Sequence, residues 1–315
     1  MLINRVFSRL ILCLLLAIVQ SAFGQHYALT IGTATAGGGF EVYGQALAEV
    51  IGQLDPLIDI QLRHTAGSLE NIERLKSGSL DMALIQGESA HEALEKYPDD
   101  LRIVSAMYPT AGMFVVRADS PYRTIEDLKG QKIAFGARSS GLVTLARYVL
   151  DAIGLDMSSD FNAILLDRAG DGPAMLRDGR VAALWGGGLG WPVFIAAMAD
   201  PVGGRFIAPD HAQIERIRAR YPFLKPLTLP ANSFFGQTSA IDSVGSWSFI
   251  VARKSLDDET VYRFCADLHN GQQLLRNRLV QAQASTMKNT IEAIETLDWL
   301  HPGALRFLND QGFVR

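Results

Sequence analysis

Three consecutive glycines in Thr33-Ala34-Thr35-Ala36-Gly37-Gly38-Gly39-Phe40 separate an apolar run from an amphipathic one with Tyr43 near its head. A main chain without Cβ atoms lets a ligand come close. Free amides at a helix start favour an anion. The segment reads either as such a loop or as a plain tight turn. It lacks the G-x-G-x-x-G spacing of a dinucleotide fingerprint, and no Gly-Lys-Ser/Thr follows as in a P-loop. Thr65-Ala66-Gly67-Ser68 repeats the pattern, with Ser68 placed to cap a helix, to contact a ligand, or both. Arg138-Ser139-Ser140-Gly141 repeats it again; Arg138 can offer a bidentate fork to a carboxylate or be a solvated surface side chain. Gln86-Gly87-Glu88 ends an apolar run, where Glu88 can receive a ligand ammonium or be an ordinary loop acid. Trp185 and Trp191 flank a glycine-rich loop and can wall a ligand or pack in the core.

Catalytic signatures are missing. His26, His64, His91, His211, His269 and His301 show no metal-type spacing, and no G-x-S-x-G elbow exists. Cys265 sits among Phe264 and Leu268, the setting of an inert buried thiol. His64 can partner Ser68, but no third residue orients the pair. The expectation is a binding protein with no catalytic set, metal or cofactor.

The elements that position these loops alternate short strands with amphipathic helices, which is α/β patterning. Strands are expected at Tyr27–Thr33, Ile58–Leu62 and Met82–Gln86, and helices from about Tyr43 to Leu54 and from Ser68 to Ser77. About 100 residues later the arrangement recurs: strands at Lys132–Gly136, Ala163–Leu166 and Ala182–Trp185, helices at Leu142–Ile153 and Asp171–Asp178. Leu75-Lys76-Ser77-Gly78-Ser79-Leu80-Asp81-Met82 echoes Leu176-Arg177-Asp178-Gly179-Arg180-Val181-Ala182-Ala183. Two like units imply two lobes whose strand ends face one cleft. The expected division is residues 25–112 plus 245–315 for one lobe and 113–244 for the other. Crossings near Tyr108–Arg117 and Gly245–Val251 join them. The tail from Asp257 onward reads as helices packing across the lobes, not as a separate domain.

The chain has 315 residues, 48% of them hydrophobic. Residues 1–24 read as an export signal: Arg5 and Arg9, an apolar run from Leu10 to Val19 too short to span a bilayer, then Ala22 and Gly24 before a cleavage point. Cleavage leaves 27 basic and 33 acidic side chains, a formal net charge of −6, and no basic run that would suit nucleic acid. One cysteine survives, so no internal disulfide is expected in the exported chain. No later segment suits membrane insertion.

At these residues the chain resembles the TAXI family, the extracytoplasmic receptors of one branch of tripartite ATP-independent periplasmic (TRAP) transporters. The family's I-G-T-G-x-x-G-G-x-Y reads here as Ile31 to Phe40, and its T-G-G-S-x-x-N as Thr65 to Asn71. D-L-x-G-K-x-V is similar to Asp127–Ile133, G-S-G-T to Ser139–Leu142, and L-H-P-G-A to Leu300–Ala304. The chain departs at Ala34, Phe40 and Leu142, and has Gln86-Gly87-Glu88 for the family's Q-S-D. The resemblance implies a two-lobed periplasmic-binding fold (type II-like) with the ligand between the lobes. It also implies a carboxylate ligand such as glutamate or 2-oxoglutarate, a TRAP permease as membrane partner, and a periplasmic address. Presenting the ligand to a sensor kinase is the rival role; a periplasmic enzyme is the third.

Overall fold

Aliphatic and β-branched runs form the strands and the amphipathic segments between them the helices, in a computed structural model that describes residues 27–314. The export segment and its cleavage point lie outside the described residues. In chain order the elements begin with β1 (Tyr27–Gly32), α1 (Gly39–Leu54), β2 (Ile58–Arg63), α2 (Ser68–Lys76), β3 (Met82–Ile85), α3 (Gly87–Lys96) and β4 (Leu101–Arg117). Then come β5 (Lys132–Ala137), α4 (Gly141–Ala152), β6 (Asn162–Leu166), α5 (Gly172–Arg177), β7 (Ala183–Gly187), α6 (Pro192–Met198), β8 (Gly204–Ile207), α7 (His211–Arg220), β9 (Lys225–Leu229) and β10 (Ile241–Arg253). Four helices end the chain: α8 (Asp258–Asn270), α9 (Gln272–Arg278), α10 (Met287–Ala293) and α11 (Pro302–Asp310). Among the described residues none is long and apolar enough to cross a membrane.

The repeat seen in the sequence is a repeat of topology. The strands run β2-β1-β3-β10-β4-β7-β5-β6. In the first lobe β1 lies parallel between β2 and β3, and in the second β5 lies parallel between β6 and β7. Each is therefore a switch point, with loops leaving the strand ends in opposite directions and a crevice between them. The echoed phrases fold alike. Gly78 (φ 73°) and Gly179 (φ 69°) end α2 and α5, and their amides donate to Leu75 O and Leu176 O.

Two long strands join the lobes. The first part of β4 pairs antiparallel with β10, and from Gly112 onward β4 pairs with β7. The apolar core changes at the same place. One cluster holds Leu29 to Tyr108 together with Phe249 to Leu308, and two others draw on Ala111 to Val244. The tail packs mainly against the first lobe. Val261, Phe264, Leu268 and Leu275 are buried in the first cluster, while Leu274 is exposed. The tail meets the second lobe where Val280 and Gln281 approach Gly190.

Candidate functional site

A cavity of about 60 Å³ lies where the loops after β1, β2 and β3 meet those after β5, β6 and β7. The first lobe contributes the head of α1 at Gly38, Gly39 and Phe40, the head of α2 at Gly67 and Ser68, and Gln86. The second contributes Ser140, Gly141 and Leu142 at the head of α4, Gly187, Leu189 and Trp191. Tyr108 and Thr110 line it from the crossing strand, and Gln281 from the tail. None of the lining residues carries a charge.

Backbone amides supply much of the polarity. The N-caps of α1 and α2 are Gly38 and Gly67, neither with a side-chain cap. The first amides of these helices have no intrahelical acceptor and bring partial positive charge to the cavity. In each helix a glutamate three residues beyond the cap reaches back and fixes the loop: Glu41 accepts from Gly37 N at 2.7 Å, and Glu70 from Ala66 N at 2.6 Å. The matching Gly38/Glu41 and Gly67/Glu70 spacings were visible in the sequence but are overlooked by a reading centred on glycines. Ser68 does not cap α2; it stands inside the helix, and its Oγ accepts from Gln86 N at 3.0 Å. Gln86 is 4% exposed, and its Nε2 has no partner among the described residues. A buried amide group left without a partner costs about 1–3 kcal/mol, so a ligand acceptor at this point is favoured.

The lobes are in contact around the cavity. Leu69 N donates to Ser139 O at 3.1 Å, Gly170 N to Ala36 O at 3.3 Å, and Ala169 N to Thr35 Oγ1 at 3.2 Å. Farther out, Tyr148 OH donates to Glu92 Oε1 at 2.5 Å. The glycines sit on this seam. A Cβ at Gly67 would lie 2.8 Å from Ser139 O, one at Gly37 2.7 Å from Gly170 Cα, and one at Gly141 2.2 Å from Gln86 Cβ. Their bare backbones thus let the lobes meet, besides lining the ligand space.

The other expected residues divide by environment. Thr35 lines the cavity; Ala36 and Ser139 lie on the seam. Tyr43 is buried behind Tyr108, ring centroids 5.5 Å apart, and its hydroxyl donates to Ser285 Oγ at 3.0 Å. Trp191 lines the cavity, its Cδ1 3.2 Å from where a Gly39 Cβ would stand. Trp185 is buried in the second lobe, with Nε1 donating to Leu142 O at 2.8 Å. Arg138 is exposed and outside the lining. His64 stands 3.7 Å from Glu41. Tyr108, Thr110, Leu189 and Gln281 were not anticipated as lining. Tyr108-Pro109-Thr110 had a signal, a polar break in an otherwise apolar strand; Gln281 had none, because the tail reaches the cleft only through the tertiary fold.

Gly87 and Glu88 turn away from the cavity toward β10. Glu88 is fully buried; Oε1 accepts from Ser246 Oγ at 2.7 Å, and Oε2 has no partner among the described residues. Desolvation raises its pKa from 4.5 to about 7, with the Ser246 hydrogen bond opposing. Between those two values the folded protein keeps a proton that the unfolded chain releases. This contribution to stability is full below pH 4.5 and lost as pH rises through 7. Glu88→Gln should therefore be more stable than wild type at pH 8, by up to about 3 kcal/mol, and equal to it near pH 4. Urea unfolding of both proteins at the two pH values checks this; a pH-independent difference would contradict it.

Among the described residues no group of three or more His, Cys, Asp or Glu side chains is placed to hold a metal. A family model described as NMT1-like matches residues 31–312. Among solved structures, one titled a periplasmic transporter superposes with a TM-score of 0.60 at 12% identity, covering 93% of this chain and 99% of its own. The alkanesulfonate-binding protein SsuA of Xanthomonas axonopodis pv. citri, bound to MOPS, gives 0.53 at 20%, covering 91% and 84%. A histidine kinase sensor domain with similarity to periplasmic binding proteins gives 0.51 at 14%, covering 83% and 98%. At these identities the likeness is one of fold, and the fold is the two-lobed one of periplasmic binding proteins.

Proposed function

The chain belongs to the NMT1-like family, and we propose that it is a non-enzymatic extracytoplasmic receptor that closes on a small organic anion and hands it to a TRAP-type permease. The observation that carries this reading is the inter-lobe cavity, walled by uncapped helix starts and by the unpartnered amide of Gln86. We place the lobe boundaries at 112/113 and 244/245, in the two crossing strands along which the apolar cores change, between Tyr108 and Ala111 and between Val244 and Phe249. Amide dipoles without a full countercharge suit a single carboxylate. Glutamate and 2-oxoglutarate, suggested by the TAXI resemblance, bring a second carboxylate for which the lining offers no cation. A lone monocarboxylate fits the cavity better.

The ligand is identified by denaturing the purified protein and analysing the extract by mass spectrometry. Titrating the stripped, refolded protein with that compound should reduce its radius of gyration in solution scattering, as expected for lobe closure. An unchanged radius at saturation would remove the trap from the reading. Recovery of the compound unaltered separates binding from catalysis. Uptake lost with the permease gene supports transport; uptake that persists while a kinase response disappears with the receptor supports the sensing role.

A further inference from the structure

Beside the small cavity lies a larger groove of about 350 Å³, and Tyr108, Leu189 and Gln281 border both. The groove is walled chiefly by apolar side chains, among them Ala111, Leu227, Leu229, Val280 and Ala284. Leu189 is held at the boundary by Gly188 (φ 96°) and Gly190 (φ 70°), conformations that other residues adopt rarely. Gln281 is 5% exposed, and its polar side chain borders both spaces. A side-chain amide on the shared border is placed to offer a hydrogen bond to a ligand that occupies both spaces. The volumes agree. At about 10–15 Å³ per water-sized group, 60 Å³ admits only about four to six such groups. A larger ligand whose head fills the cavity has the groove beyond Leu189 and Gln281 as adjoining space.

We propose that the groove is a subsite for the apolar tail of the ligand, and that the solute is an amphiphilic monocarboxylate with an unbranched hydrocarbon chain. Its carboxylate sits against the starts of α1 and α2, its chain crosses beside Gln281, and its end lies against Leu227 and Leu229. The inference rests on the receptor reading and names its ligand class.

The test is calorimetric titration of the stripped, refolded full exported chain with straight-chain monocarboxylates from acetate to octanoate and with the matching primary amides. Wild type is compared with Ala284→Trp, which fills the groove, and with Leu227→Asp, which makes its wall polar. Circular dichroism confirms that each variant is folded. Wild-type affinity for carboxylates should rise about fourfold per added methylene from butanoate onward, the increment for burying one CH₂. In both variants that rise should flatten, with propanoate affinity unchanged. A length-independent series, or an equal rise in the variants, overturns the groove. Amides that show the length dependence where carboxylates do not bind uphold the groove and remove the anion head. If neither series binds at any length, the tail subsite is overturned.

Discussion

Gly141→Ala should leave the protein folded and reduce ligand affinity by at least about a hundredfold. Gly141 is the first residue of α4, and its φ lies outside the left-handed region. Alanine is thus allowed there and is the better helix former by about 1 kcal/mol. With the lobes apart, the three atoms nearest the added methyl, all in the first lobe, are withdrawn from it. With the lobes together it would stand 2.2 Å from Gln86 Cβ and 2.9 Å from Ser68 Oγ. Neither group can yield. Gln86 is held at both ends of its peptide unit, its N–H donating to Ser68 Oγ at 3.0 Å and its carbonyl accepting from Ala90 N at 2.9 Å. Overpacking of this kind costs about 3 kcal/mol, and the whole penalty falls on the closed state. Each 1.4 kcal/mol is a factor of ten in apparent affinity, hence about a hundredfold or more. Thermal unfolding of the free protein should be unchanged or slightly later, and scattering should show no contraction with ligand. Gly52→Ala, at an exposed helical position of α1 away from the cavity, is the control. Among the described residues no atom outside its own stretch of helix lies within 4 Å of the added Cβ. It should bind far more nearly like wild type. Wild-type affinity in a folded Gly141→Ala protein would show that these lobes do not need to meet.

This contrast marks what was legible in the sequence. The glycine loops after β1 and β2 were found, because three glycines in a row between a strand and a helix have few uses. By pattern they read as ligand approach, a tight turn or a helix cap, and not as a seam between lobes. That Gly67 faces Ser139 and Gly141 faces Gln86 depends on how two halves of the chain close, and no local pattern encodes it. The repeat was legible for a different reason: each unit solves the same packing problem, so Leu75–Met82 and Leu176–Ala183 end their helices with the same left-handed glycine. Trp185 and Trp191 illustrate the limit. Both border one glycine-rich loop and pack in the apolar cores of the second lobe, yet only Trp191 also lines the cavity. The difference is strand register: Trp185 pairs with Phe114 inside the sheet, and Trp191 stands beyond its end as the cap of α6. Arg138 reads in the sequence as a carboxylate fork or a solvated side chain; it is exposed and outside the lining. Glu88 was named as a loop acid or an ammonium partner; it is a helix residue buried against the crossing strand.

Asn71→Asp should destabilise the protein at neutral pH by about 3–5 kcal/mol, more than Asn71→Leu does, and the difference between the two should shrink in acid. Asn71 is fully buried, and its Nδ2 donates to Thr33 O at 2.8 Å and Leu84 O at 2.9 Å. One side chain thus joins the ends of β1 and β3, where the loops to α1 and to Gln86 begin. Leucine is similar in size but removes a donor from both carbonyls; Thr33 O keeps the Thr65 hydroxyl at 3.2 Å, and the loss costs about 1–3 kcal/mol. An introduced carboxylate does worse, because it sets negative charge against two carbonyl oxygens without a counterion, the penalty of an uncompensated buried charge. Protonation turns one carboxyl oxygen back into a donor. The pKa introduced at this position is therefore raised in the folded state, and the lost stability returns as pH falls through that raised value. Against a total stability of about 5–15 kcal/mol, either variant should be measurable by urea unfolding. Both should also bind more weakly, since the loops carrying Gly38 and Gln86 share this tie. Equal losses for Asp and Leu at pH 7, or an Asp variant whose deficit does not change with pH, would mean that the two carbonyls find other donors and that Asn71 does not hold the loops.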